Sequence, residues 1–160
     1  MKKSLLLLPL LLAGTSVMAD QPRLAVVSLE QAQRMVAAAV TECNAQGYAV
    51  SAAVVDRSGV LTAFARHEQA GPHTVGSAQR KAFTAASLGR PTGELASAIA
   101  ANAEIDGLRD MHPDILILEG GLPLKAGDEK IGGIGVGGAP GGQLDAACAQ
   151  AAIDKVLGGA

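Results

Sequence analysis

The sequence predicts an α+β domain in which helices cover an antiparallel sheet. Segments rich in β-branched residues come in pairs joined by short turns, which is typical of hairpins. Segments with helical periodicity lie before, between and after these pairs. The predicted order is one helix, two strands, two helices, three strands and one helix. A parallel sheet would instead require single strands that alternate with helices.

The segment 1–19 predicts a secretory signal peptide. Lys2 and Lys3 precede the apolar stretch Leu5–Ala13, and a Val-Met-Ala sequence with a small last residue follows before the first aspartate. The apolar stretch is too short to span a membrane. We therefore expect this segment to be cleaved, and residues 20–160 to form one domain that works in the periplasm or is secreted, without attachment to a membrane.

The charge balance and the aromatic content argue against a nucleic-acid-binding protein. Of the 13 cations, two are Lys2 and Lys3, so 11 cations remain against 15 anions in the mature chain. There is no Trp, and the aromatic residues are Tyr48, Phe64 and Phe83. A nucleic-acid interface requires a basic face, and a single-strand interface requires aromatic stacking platforms.

The first half of the domain begins with a helix and a hairpin. Ser28 and Gln31 have the spacing of a capping box, which predicts a helix over about 29–46. Tyr48–Val55 and Val60–Ala65 are strand-like segments on either side of an Asp-Arg-Ser-Gly turn. We expect them to pair as an antiparallel hairpin.

The second half alternates between alanine-rich helices and short strands. Pro123 cannot donate a hydrogen bond to a sheet, so its segment is expected at an edge. Gly133, Gly135 and Gly138, at the end of the last predicted strand, match G-x-G-x-x-G. A dinucleotide site also needs a returning parallel strand and an acidic residue about 20 residues on, so a strand end and close helix packing are the better explanation. The predicted elements are helices 74–88, 93–103 and 143–157, and strands 115–118, 122–124 and 130–136.

The two cysteines lie far apart in the sequence, in the first and the last predicted helix. In an oxidising compartment Cys43 and Cys148 can form a disulfide that ties the two ends of the domain together. The alternative is a pair of buried free thiols that act as small apolar side chains. The sequence leaves both open.

The loop before the second predicted helix has the strongest concentration of chemically useful residues. His73 follows Pro72 at the start of that helix, where the helix dipole favours a neutral imidazole that can ligate a metal. Arg66, Arg80 and Lys81 are nearby cations that can pair with the carboxylates of an anionic ligand. The alternative is a helix-start histidine on a solvated face.

Several segments together resemble the GlcG/HbpS (DUF336) family of haem-binding proteins. The similarity runs from Ser28 to Leu157, with the motifs in the same order. It implies a profilin-like domain with a five-stranded antiparallel sheet flanked by helices, and homo-oligomers that are often octamers. It also implies haem binding, and some relatives are fused to corrinoid adenosyltransferases. The matching segments are Val54–Gly59, Ala70–Thr74, Ser77–Ala85, Gly120–Leu124 and Gly132–Gly137.

The resemblance also implies where the ligand binds. His73, Thr74 and Thr84 lie in the segments that match the haem-contacting region of the family. His67 is a rival ligand, because many relatives have a Met-Asp-Gly sequence where this chain has His67-Glu68-Gln69.

From these observations we expect a periplasmic or secreted haem-binding protein that sequesters or shuttles haem, with iron as its metal. His73, or its rival His67, would ligate the iron, and Arg66, Arg80 and Lys81 would hold the propionates. The few aromatic residues favour a site at an interface between subunits of a homo-oligomer.

Three alternatives remain open. The first is an enzyme that acts on a small carboxylate, with His73 as general base and Arg80 or Lys81 as clamp. We do not expect an enzyme, because no catalytic constellation is complete in the sequence. The second is a module that binds a corrinoid or another tetrapyrrole, and the third is an oligomeric scaffold without a small ligand.

Overall fold

The structure is a computed structural model and describes residues 23–158. The predicted signal peptide therefore lies outside the described residues. Within this range no helix combines the length and apolarity needed to cross a membrane. The helices are α1 (Leu29–Ala45), α2 (His73–Leu88), α3 (Thr92–Ala101) and α4 (Gly142–Leu157), the strands are β1 (Ser51–Asp56), β2 (Leu61–Arg66), β3 (Gly121–Ala126) and β4 (Glu129–Gly137), and a 3₁₀ helix covers Ala103–Arg109.

The strands form one antiparallel sheet in the order β2-β1-β4-β3. The predicted α+β class with an antiparallel sheet is therefore confirmed, and the capping box of Ser28 and Gln31 begins α1 as expected. Pro123 lies in β3 at an edge, where its missing N–H leaves the sheet intact. The described residues contain four strands and not the expected five.

The strand predicted over 115–118 is wrong. This segment is an irregular loop in which Ile115 and Ile117 are buried against α3. Side chains of α2 satisfy its backbone: Arg80 Nη2 donates to the carbonyl of Ile115 at 2.7 Å, and Thr84 Oγ1 accepts from the next N–H at 2.8 Å. The continuous apolar run thus reflects contact with a helix, not membership of the sheet.

Helices cover both faces of the sheet. On one face, α1 packs mainly on β1 and β2, while α4 packs on β3 and β4. A disulfide joins α1 to α4 across 105 residues, with the Cα atoms of Cys43 and Cys148 5.6 Å apart. This pairing decides the alternative that the sequence left open. The other face is covered by α2.

The glycines of β4 let α2 lie directly on the sheet. A Cβ atom added to Gly133 would overlap the carbonyl oxygen of Ala82, and one added to Gly135 would overlap that of Ala78. The glycine-rich motif is therefore explained by close packing of a helix on a strand. It has no geometry for cradling a phosphate, since the helix backbone already fills the space above it.

Candidate functional site

The loop between β2 and α2 is held in shape by Arg66. Its Nε and Nη2 both donate to the carbonyl of Ala70, and Nη2 also reaches that of Glu68 at 3.4 Å. The chain then turns through Gly71 and Pro72 into α2. Arg66 is exposed, and part of its hydrogen-bonding capacity is used within its own loop.

His73 is the first residue of α2, and its imidazole is exposed. One side of the ring rests on Gly71, where an added Cβ would lie 2.7 Å from the ring's Cε1. The glycine thus leaves space for the ring and limits its orientation. None of the hydrogen bonds formed within residues 23–158 involves this ring, in contrast to the other two histidines.

His67 and His112 each use Nδ1 as an acceptor. His67 Nδ1 accepts from the N–H of Gln69 at 3.2 Å, and His112 Nδ1 accepts from the N–H of Asp114 at 3.1 Å. A neutral imidazole whose Nδ1 accepts a hydrogen bond carries its proton on Nε2. In each of these two rings, the lone pair of Nδ1 is therefore used and Nε2 has none to offer. Both rings would have to break a hydrogen bond to ligate a metal.

Thr74 and Thr84, which the resemblance places in the haem-contacting region, use their hydroxyl groups within the fold. Both are buried. Thr74 Oγ1 donates to the carbonyl of Gly71 at 2.6 Å and lies 2.7 Å from the hydroxyl of Ser51. Thr84 Oγ1 donates to the carbonyl of Arg80 and accepts from the 115–118 loop. Their hydroxyl groups hold α2 to its neighbours.

Lys81 is also removed from the surface, so it is not available as a carboxylate clamp. Its side chain is 2% exposed, and Nζ lies 2.8 Å from Asp145 Oδ2 of α4. It also donates to the carbonyl of Val136 in β4 at 2.9 Å. Burial raises the pKa of the Asp145 carboxyl, although the ammonium group and the N–H of Ala139 favour its charged form.

Arg80 keeps unused hydrogen-bonding capacity. Its Nη2 donates to the 115–118 loop, but its Nε is buried and has no hydrogen-bond partner within residues 23–158. A buried donor without a partner costs about 1–3 kcal/mol. A ligand would reach this buried Nε only if the side chain moved, although the Arg80 side chain as a whole borders a cavity.

Arg80 lines a cavity of about 270 Å³ between α2 and the β1–β2 hairpin. Phe83 forms one side of it, between the turn at Gly59 and the ring of His112, which stacks on Phe83 at a centroid distance of 5.0 Å. Sequence reasoning missed this cavity, because its walls come from segments that are distant in the chain. The lining residues are Val55, Gly59, Leu61, Gly76, Gln79, Arg80, Phe83 and Asp114.

Gly76 is the lining residue that sequence reasoning should have noticed. It lies inside α2, where a glycine costs about 1 kcal/mol relative to alanine. A Cβ at this position would meet nothing within 4 Å, so packing inside the domain does not require the glycine. A flat ligand or a second chain that approaches α2 closely would explain it.

His73, Gly76, Arg80 and Phe83 follow one another at helical spacings of three and four residues along one side of α2. The stripe extends ten residues, or about 15 Å. It presents a free imidazole at one end, a partly unsatisfied guanidinium near the middle and an aromatic ring at the other end. This combination suits a long, flat, anionic ligand with a metal centre.

Comparisons with known proteins identify relatives of this chain. A family model described as "Haem degrading protein HbpS-like" matches residues 27–154. A crystal structure of a double mutant of Streptomyces reticuli HbpS has 38% sequence identity and a TM-score of 0.80, and the match covers 92% of this chain and 99% of that one. No curated protein matches the sequence.

Two further solved structures are similar over most of the chain. Klebsiella pneumoniae protein ORFY, assigned to DUF336, has 31% identity and a TM-score of 0.81, with 89% of this chain and 98% of that one covered. A PduOC:heme complex has 27% identity and a TM-score of 0.75, with 81% and 94% covered. The latter relative was solved with haem bound. From the family model and the identity to HbpS, the chain belongs to the HbpS-like family.

Proposed function

We propose that this protein binds haem along the stripe of α2 that runs from His73 to Phe83, and that it sequesters or shuttles haem outside the cytoplasm. The observation that carries the proposal is the state of the three histidines: the His73 imidazole is exposed and free, whereas His67 and His112 are engaged through Nδ1. The family description and the PduOC:heme complex support haem as the ligand.

The side chains of the stripe have the chemical groups that haem binding requires. His73 would supply the axial nitrogen, with Gly71 limiting the orientation of its ring. Arg80, whose Nε has no partner within residues 23–158, would bind a propionate, and Arg66 is an exposed cation near the His73 end of the stripe. Gly76 would let the macrocycle approach the helix. Bound haem would supply an iron centre for ligand binding and redox chemistry.

The proposed site differs from the sequence-based expectation. Thr74, Lys81 and Thr84 are excluded, because their polar atoms are buried and engaged within the fold. His67 remains the second ligand candidate, since its hydrogen bond to a loop N–H can be exchanged for a metal. Assembly into a homo-oligomer is part of the proposal, because the cavity beside Arg80 encloses only about 270 Å³.

A haemin titration of the purified mature protein, followed in the Soret region, tests the proposal. We expect a saturable band that His73→Ala abolishes or shifts, because the axial ligand is lost. His112→Ala is the matched control that should bind like the wild type, whereas loss of the band in His67→Ala and not in His73→Ala would assign the iron to the second candidate. A wild-type response equal to that of an unrelated acidic protein would refute haem binding. Decay of the band over hours would indicate degradation and not storage.

A second candidate function is an enzyme that acts on a small carboxylate. The size of the cavity favours it, because about 270 Å³ is below the 300–1,000 Å³ typical of sites for larger ligands. His73 would act as the base and Arg80 as the carboxylate clamp. Turnover of small organic acids without a chromophore, lost in both His73→Ala and Arg80→Ala, would identify this activity.

A further inference from the structure

The cavity beside Arg80 carries two opposite charges that do not pair with each other. Arg80 and Asp114 both line it, and they are the only charged residues of its lining. None of the salt bridges formed within residues 23–158 joins them, although they border the same space. A gap between two opposite charges suits a ligand that carries both charges itself.

The guanidinium of Arg80 has one nitrogen that a ligand can reach. Nη2 donates to the carbonyl of Ile115 at 2.7 Å, and Nε is buried. Nη1 makes no hydrogen bond within the described part of the chain and is not buried. A carboxylate can therefore accept from Nη1 without any movement of the Arg80 side chain.

The carboxylate of Asp114 is free as well, and it lies beside the aromatic wall. Its Oδ2 is 3.8 Å from Nδ1 of His112, a nitrogen that already accepts from the N–H of Asp114. The His112 ring stacks on Phe83, which forms one side of the cavity. Within residues 23–158 the carboxylate accepts no hydrogen bond, so it can accept from a ligand.

The rest of the lining is an amide and an apolar surface. The side-chain amide of Gln79 is half-buried and makes no hydrogen bond within the described residues, so it can both donate and accept. Val55, Leu61 and Phe83 supply apolar walls. A few unpaired polar groups around an apolar cavity are typical of a site for a small molecule, and they fix its orientation.

We infer that this cavity binds a small zwitterion, namely an amino acid with an apolar side chain. The ligand carboxylate would accept from Arg80 Nη1, and the ligand ammonium group would donate to Asp114. The apolar side chain would lie against Phe83 and Leu61. A volume of about 270 Å³ limits the ligand to a small molecule.

The charges of the lining select against ligands with a single charge. A simple carboxylate would pair with Arg80 but would lie near the uncompensated charge of Asp114, and a simple amine would meet the reverse problem. This inference therefore goes beyond haem binding along the stripe. It also differs from the second candidate function, because a carboxylate clamp alone would not require an ammonium group on the ligand.

Calorimetric titration of the purified mature protein with L-leucine tests the inference. The matched ligands are isocaproate, which lacks the ammonium group, and isoamylamine, which lacks the carboxylate. We expect saturable binding of leucine, and binding of the other two that is weaker by at least about tenfold, because each loses one charge-assisted hydrogen bond. Absence of leucine binding, or equal affinity for leucine and isocaproate, would overturn the inference.

The substitution Asp114→Asn tests the role assigned to the carboxylate. This variant should bind leucine about tenfold more weakly than the wild type and should bind isocaproate at least as tightly. Asp110→Asn is the matched control, because it removes the same charge from an exposed residue that does not line the cavity. Equal weakening of leucine binding in both variants would overturn the role of Asp114.

Competition with haemin relates the cavity to the proposed function and keeps the two separable. Saturating leucine should weaken haemin binding, because both ligands would use Arg80. A haemin affinity that leucine leaves unchanged would overturn the placement of leucine beside Arg80. Leucine binding by a protein that does not bind haemin would retain the inference and refute the proposed function. Haemin binding without leucine binding would do the reverse.

Discussion

A single buried ion pair joins three elements of this domain. Lys81 of α2 and Asp145 of α4 are 2% and 4% exposed, and Lys81 also reaches the carbonyl of Val136 in β4. Both oxygens of Asp145 are used, because Oδ1 accepts from the N–H of Ala139. Removing two charges from water costs several kcal/mol per ion, so the pair is stable only while both partners are present.

Loss of one partner should therefore be more harmful than loss of both. Lys81→Met leaves a buried carboxylate and should lower the free energy of unfolding by about 3–5 kcal/mol. The double variant Lys81→Met/Asp145→Leu should recover most of this loss, because no buried charge remains. Urea denaturation measures all three proteins. A double variant as unstable as Lys81→Met would show that the individual hydrogen bonds matter more than the unpaired charge.

The contact of α2 with β4 determines how the site is built. The glycines of β4 bring the helix backbone onto the sheet, so the opposite side of α2, with His73 and Gly76, is left for a ligand. The same helix contains both the packing surface and the candidate binding surface. Glycines on the two surfaces therefore have different functions.

Two glycine-to-alanine substitutions distinguish these functions. Gly135→Ala would place a methyl group on the backbone of α2 at Ala78 and should destabilise the domain by about 1–3 kcal/mol. Gly76→Ala is the matched control: nothing lies within 4 Å of its Cβ, so it should stabilise the helix by up to about 1 kcal/mol. Thermal unfolding gives both values. Similar destabilisation by both would contradict the packing argument.

At the level of the whole molecule, the sheet has two free edges, and the β2 edge lies beside the candidate site. Both edges carry features that limit strand pairing: Pro123 and Lys125 on β3, and a bulge at Thr62 and the exposed Arg66 on β2. If the ligand site is shared between two copies, ligand binding and dimer formation are thermodynamically linked, and each strengthens the other.

Haemin should therefore lower the dissociation constant of the dimer. We expect sedimentation at low protein concentration to show a larger dimer fraction with haemin than without it, by about tenfold in the dissociation constant. The His73→Ala variant is the control, because it should dimerise normally but not respond to haemin. A dimer equilibrium that haemin leaves unchanged would place the whole ligand site within one chain.

Prediction from the sequence succeeded where the signal is local. The capping box of Ser28 and Gln31, the β1–β2 hairpin and the edge position of Pro123 all depend on neighbouring residues. It failed at 115–118, because a short run of apolar residues indicates burial but not the partner. It also failed at Lys81, since a cation near a histidine in sequence can face the opposite side of the helix.

The sequence by itself determined the antiparallel α+β class and most element boundaries, and it directed attention to the segment that contains the candidate site. These depend on backbone propensity, capping and periodicity within one element. Only the tertiary structure decided that Cys43 pairs with Cys148, that Lys81 is buried against Asp145 and that His73 is the free imidazole. The reason is physical: burial and hydrogen-bond partners come from segments distant in the chain, which only the packed fold brings together.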